Sequence, residues 1–180
     1  MNYLLFLSIP VSVFSLLNKI FLVLNKKSGW MWGALVGVSS AIYFLIIGLH
    51  ILAIAEIGFF IVMVYGYINH SVKNERFALQ ISVILTSISI ALGMFLFANY
   101  LTVVETISSL SFIWGGYMLA RKKALFGWLF FVTAHIATAV SAFDKGEVIF
   151  SALQIASALI CCYGLYRVLK RSEIFHTNSN

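Results

Sequence analysis

A chain of 180 residues that is 62% hydrophobic, 16% aromatic and only 10% charged has too little polar surface to coat a water-soluble body, where about 25% charged residues is usual. The composition places it among polytopic membrane proteins. Its formal net charge of +6 does not point to nucleic acid, because the Lys and Arg residues fall in short clusters between apolar runs and not on one basic face.

A bilayer core about 30 Å thick needs roughly 20 helical residues per crossing. The first apolar run, 3–24, opens with MNYLLFLSIPVSVFSLL, which resembles the apolar part of a signal peptide. It lacks a basic stretch before it and a small-x-small cleavage site after it, and is read as the first span. Lys19 lies late in this run, where its stem can snorkel to the inner surface. Further runs follow at 30–47, 51–69, 78–97, 102–120, 126–143 and 147–168, giving seven predicted helices with very short connections.

The basic residues partition with this count. With the N-terminus outside, the inner loops hold Lys26 and Lys27, then Lys73 and Arg76, then Arg121, Lys122 and Lys123; the inner C-terminal end adds Arg167, Lys170 and Arg171. The outer loops hold only Lys145, flanked by Asp144 and Glu147. That asymmetry follows the positive-inside rule and predicts an N-out, C-in orientation, in what is expected to be a bacterial cytoplasmic membrane. The lipid bilayer is thus its first partner.

An offset of 98 residues aligns two segments without a gap. Gly29-Trp30 falls on Gly127-Trp128, Ala41 on Ala139, Gly48 on Gly146, and Tyr65-Gly66 on Tyr163-Gly164. The matched units are the first three and last three helices, each with a basic loop after its first helix. The predicted fold class is therefore an all-α polytopic membrane protein of seven transmembrane helices, as two parallel three-helix repeats joined by a linker helix. The expected divisions are 1–70 for the first bundle, 71–100 for the linker helix, 101–171 for the second bundle and 172–180 for a short polar cytoplasmic tail. Parallel triple-helix repeats occur in sugar transporters of the SWEET type, with substrate sites near the midplane at the repeat interface. Duplication without transport is the alternative.

At these residues the chain resembles the PnuC-type vitamin transporters, over about residues 12 to 170. Trp30 followed by Gly33 matches the opening of that family's first repeat, and Tyr65-Gly66 matches the end of its third helix. Glu56 stands where the family has Gln, Tyr67 and His70 stand at its tryptophan positions, and the sixth helix reads Trp128, Phe131 and His135. The resemblance implies a divergent carrier of nicotinamide riboside or a related vitamin or nucleoside, working as a facilitator or coupled to an ion. It also implies a separate cytosolic kinase that traps the imported solute.

Six residues are candidate substrate contacts. Glu56 lies about six residues into the third helix, roughly 8 Å deep at 1.5 Å per residue. A carboxylate there costs a few kcal/mol unless it faces a cavity or a partner. Gln154 is its mate at the 98-residue offset, able both to donate and to accept, or to serve as interhelical glue. His135 lies about ten residues into the sixth helix, as a ligand contact or as a packed residue bonded to a carbonyl. Trp128, with Trp30 and Trp32, sits just inside the inner boundary, where an aromatic belt explains the placement without a ligand and stacking on a flat substrate is the alternative. Trp114 and Tyr163, with Tyr117, lie deeper and could wall a site. Glu105 near the outer end of the fifth helix reads as a solvated helix end, or as part of an acidic vestibule.

Cys161 and Cys162 are adjacent in an apolar run and read as small packing residues, with no Cys or His spaced for a metal. No Walker sequence, HExxH, nucleophile elbow or CxxC pair is present in the sequence. The expected function is transport of a small-molecule solute without cofactor, metal, nucleic acid or catalysis, and with room for a homo-oligomer. A non-transporting assembly protein or an intramembrane enzyme is the alternative.

Overall fold

The computed structural model describes residues 2–68, 76–96 and 99–177. They form seven helices: α1 (Asn2–Val23), α2 (Ser28–Ile46), α3 (His50–Ile68), α4 (Arg76–Leu96), α5 (Tyr100–Ala120), α6 (Ala124–Asp144) and α7 (Val148–Thr177). No strand occurs among the described residues. Six helices, all except α4, are long and apolar enough to cross a membrane, while α4 offers the shorter apolar stretch Thr86–Phe95. His70 and Lys73 of the sequence reading, and residues 178–180 of the expected tail, lie outside the described residues. The helix expected to end near residue 168 continues to Thr177, because neither Gly nor Pro stands in VLKRSEIFHT to stop it. Its apolar stretch ends at Arg171.

Turn chemistry explains the short connections. After α2, Gly48 adopts φ +74° and Leu49 N–H donates to the Phe44 carbonyl at 2.8 Å. After α6, Gly146 adopts φ +79° and Glu147 N–H donates to Ala142 at 2.9 Å. Both are left-handed C-terminal turns that glycine enters without strain. A Cβ on Gly146 would meet nothing within 4 Å, so Gly146→Ala isolates the conformational cost. The expected loss is about 1 to 2 kcal/mol, read as a lowered unfolding midpoint in detergent.

Six helices close into a ring. α1 packs on α2, α2 on α3, α3 on α5, α5 on α6, α6 on α7, and α7 returns to α1; α4 lies outside against α3 and α5. Arg167 Nη1 helps close the α7–α1 seam by donating to the Val23 carbonyl at 2.7 Å. The outside of the ring is apolar, with Phe6, Ile57, Phe143 and Leu159 all exposed. The inside is polar, burying Lys19, Glu56, Glu105, His135, Gln154 and a series of serines and threonines. Such inverted polarity is unfavourable in water and natural in lipid, where polar groups gain by facing one another. The chain is a multi-pass membrane protein on these grounds.

Two tight contacts set helix spacing at one end of the ring. A Cβ on Gly66 would lie 2.0 Å from the Trp30 ring, and one on Gly164 would lie 2.7 Å from the Trp128 ring. Each glycine therefore admits a buried indole from the preceding helix.

Candidate functional site

The polar centre is built from all six ring helices. A small cavity of about 10 Å³ is lined by Ser15 and Lys19 of α1, Ser40 of α2, Glu56 of α3, Phe112 of α5, His135 and Thr138 of α6, and Gln154 of α7, among others. That space is on the order of one water molecule. Glu56 is 4% exposed and His135 1%.

The sequence places these groups through helical spacing. Ser8, Ser12, Ser15 and Lys19 recur at steps of three and four along α1, and all are buried, so one face of α1 is polar and turns inward. Lys19 is consequently not a snorkelling residue, correcting the sequence expectation. Its side chain runs into the ring at 1% exposure. Nζ donates to Asn18 Oδ1 at 2.6 Å and lies 4.5, 5.5 and 5.8 Å from the ring centres of Phe131, Phe59 and Phe112. Three aromatic faces replace part of the water an ammonium would otherwise hold. The residues of α1 on this face are the ones the sequence reading missed. Their serine spacing was the available signal.

His135 Nδ1 lies 2.6 Å from Gln154 Oε1. The amide oxygen can only accept, so Nδ1 is the donor in this pair. His135 Nε2 and Glu56 Oε2 are both buried without a hydrogen-bond partner among the described residues. The centre therefore presents two unpartnered polar atoms beside the Lys19 amine, an arrangement suited to a solute that hydrogen-bonds through hydroxyl or amide groups. Gln154→Leu would strand the Nδ1 proton, an expected cost of about 1 to 3 kcal/mol, measured by thermal unfolding in detergent.

Apolar layers seal this centre on both sides. Toward the α2–α3 and α6–α7 turns, Tyr43, Phe44 and Phe150 cluster with Leu49 and Leu52, the Tyr43 and Phe150 rings 4.8 Å apart. Toward the other end, Trp30, Phe59, Met63, Trp128 and Phe131 form a continuous cluster. Beyond that second layer a larger cavity of about 360 Å³ opens among the ends of the same six helices, lined by Trp30, Trp128 and Tyr65 and by the basic residues Lys26, Lys122 and Arg171, among others.

The six sequence candidates thus separate. Glu56, His135 and Gln154 meet at the central cavity, and Trp128 lines the larger one. Trp114 lines neither cavity; it packs edge-on against Tyr117, ring centres 5.6 Å apart, in the cluster shared with α4. Tyr163 is 56% exposed and faces outward, because its neighbour Gly164 takes the position against Trp128. Glu105 is not a solvated helix end. It is buried and accepts from the N–H groups of Ile51 and Leu52 at 3.1 and 3.4 Å, capping the first turn of α3 from α5. The unpaired N–H groups and positive dipole end of a helix favour a carboxylate there. Among the described residues no group of three His, Cys, Asp or Glu is placed to hold a metal ion.

No protein-family model matches this chain, and no curated protein or solved structure matches it.

Proposed function

We propose that the chain is a membrane transporter that carries a small, hydrogen-bonding solute through the centre of the six-helix ring. The observation that carries this reading is the meeting of Glu56, His135, Gln154 and Lys19 from four different helices at one buried polar cavity, between two apolar layers. Inert scaffolds have no need for a lysine and a carboxylate in the membrane interior, where each is costly and marks solute or ion pathways.

The proposed architecture is seven spans, α4 included, with helices α1–α3 and α5–α7 as parallel repeats about α4. Its support is the recurrence of contacts at the 98-residue offset: Trp30 on Gly66 and Trp128 on Gly164, and the turns at Gly48 and Gly146. The ring contacts agree, since α3 on α5 corresponds to α7 on α1. In this reading α1–α3 rocks against α5–α7, opening one apolar layer at a time. A vitamin-sized solute needs a site of several hundred Å³, so the present arrangement is the closed centre of that cycle.

The solute we propose is nicotinamide riboside or a related vitamin or nucleoside, whose hydroxyl and amide groups would meet the two unpartnered atoms of Glu56 and His135. The resemblance to PnuC-type carriers supports that choice, as it supports a bacterial cytoplasmic membrane, an N-out orientation and a cytosolic kinase downstream. Uptake of labelled nicotinamide riboside, thiamine and riboflavin into proteoliposomes tests the reading. Saturable uptake that falls ten-fold or more in Glu56→Leu and His135→Leu is the expected result. A folded protein with no saturable uptake of any of them would leave the assembly role, which the near-filled centre of about 10 Å³ also accommodates.

A further inference from the structure

The second cavity has a chemistry of its own. It is lined by Trp30, Trp128 and Tyr65 and by the basic residues Lys26, Lys122 and Arg171. No Asp or Glu is among its described lining residues, so three basic side chains line one space with no carboxylate among them, the Lys26 ammonium resting 5.7 Å from the neighbouring Phe21 ring. The three basic groups come from separate places in the chain, the α1–α2 turn, the α5–α6 turn and the end of α7. Lys122 is held at φ 59° within its turn. The volume of about 360 Å³ lies in the range of small-molecule sites.

We propose that this cavity is a binding site for a soluble organic anion with a flat aromatic body, of the nucleoside monophosphate class. Its phosphate would lie among Lys26, Lys122 and Arg171, and its base edge-on to the parts of the two buried indoles that line the space. Lysine and arginine bind phosphate oxygens through charge-assisted hydrogen bonds, and aromatic rings meet edge to face as well as stacked. A lipid headgroup offers the same phosphate chemistry. The cavity, however, is lined by residues from all six ring helices and from the α1–α2 and α5–α6 turns, which favours an occupant from water over one from the lipid side. On the positive-inside rule that water is the cytoplasm. The Trp30–Met63–Trp128 layer separates this site from the Glu56 cavity, and binding to it can be measured without transport.

Equilibrium binding of radiolabelled AMP to the full chain in nanodiscs of zwitterionic lipid tests this directly. Saturable AMP binding is expected, at least ten-fold tighter than that of adenosine or of inorganic phosphate alone. The variant Lys26→Gln/Lys122→Gln/Arg171→Gln should weaken it ten-fold or more. The variant Lys27→Gln/Lys123→Gln/Lys170→Gln, which removes the same charge beside the cavity, should change it by no more than two-fold. Adenosine binding as tightly as AMP would overturn the anion assignment, and equal losses in both triple variants would overturn the site. Absence of AMP binding, with phosphatidylglycerol in the nanodisc shifting tryptophan emission in the parent and not in the first variant, would assign the cavity to lipid and overturn the proposal. Since the readout is binding, a failure here and a failure of uptake are told apart.

Discussion

Replacement of Lys19 by methionine is expected to destabilise the protein by about 1 to 3 kcal/mol, the cost of leaving a buried acceptor without its charged donor. Methionine keeps most of the volume and the apolar stem, so packing against Phe59, Phe112 and Phe131 is largely retained. What goes is the ammonium, leaving Asn18 Oδ1 without its 2.6 Å donor and the Glu56 carboxylate without the cation that shares its cavity. Lys19→Met/Glu56→Gln removes both charges, and most of the lost stability should return, because an uncompensated charge is costlier than none. Chemical unfolding in detergent, read as a double-mutant cycle, gives the coupling directly. Nearly additive single effects would show that the two residues do not sense each other across the cavity. Stability and uptake should part company in the double variant, which recovers the fold while uptake stays at least ten-fold down.

The second large effect is steric. Gly66→Ala places a methyl 2.0 Å from Cε3 and 2.3 Å from Cζ3 of Trp30. The indole is buried in the cluster with Phe59, Met63 and Trp128. Overpacking of this kind costs about 1 to 3 kcal/mol, and the upper end is expected. Gly164→Ala brings its methyl to 2.7 Å of Trp128, so its loss should be the smaller. In a Trp30→Leu background the ring is gone, and Gly66→Ala should then cost under about 1 kcal/mol, since contacting residues are not additive. An undiminished penalty there would place the strain elsewhere than in the indole.

Much of the fold was legible because membrane helices announce themselves by length and by glycine at their turns. The seven predicted runs fall on the seven helices, and Gly48 and Gly146 mark turns by a conformation few other residues adopt at low cost. Glu56, His135 and Gln154 stood out as polar groups in apolar runs, but their convergence needed coordinates. Which way an apolar or aromatic side chain faces was not legible. In lipid the outer face is as apolar as the packed one, which erases the amphipathic stripe that orients a helix in a soluble protein. That is why Tyr163 and Trp114 were counted with the centre and are not there. Lys19 and Glu105 were misread for a different reason. Depth along a helix says how far a charge is from water, but not whether a neighbouring helix supplies a cage of rings or a row of unpaired N–H groups. The serine spacing of α1 held that information for Lys19. Nothing local to α5 held it for Glu105, whose partners lie more than fifty residues away.

The two apolar layers around the polar centre have an electrical consequence. A bacterial membrane stores energy as a proton gradient, and any continuous thread of water through a protein would discharge it. Here the Tyr43–Phe44–Phe150 layer and the Trp30–Met63–Trp128 layer interrupt such a thread at two separate depths. Either one can part without short-circuiting the membrane, provided the other stays shut. The centre is insulated twice, and under the proposed transport reading a solute passes only by a motion that never opens both layers together.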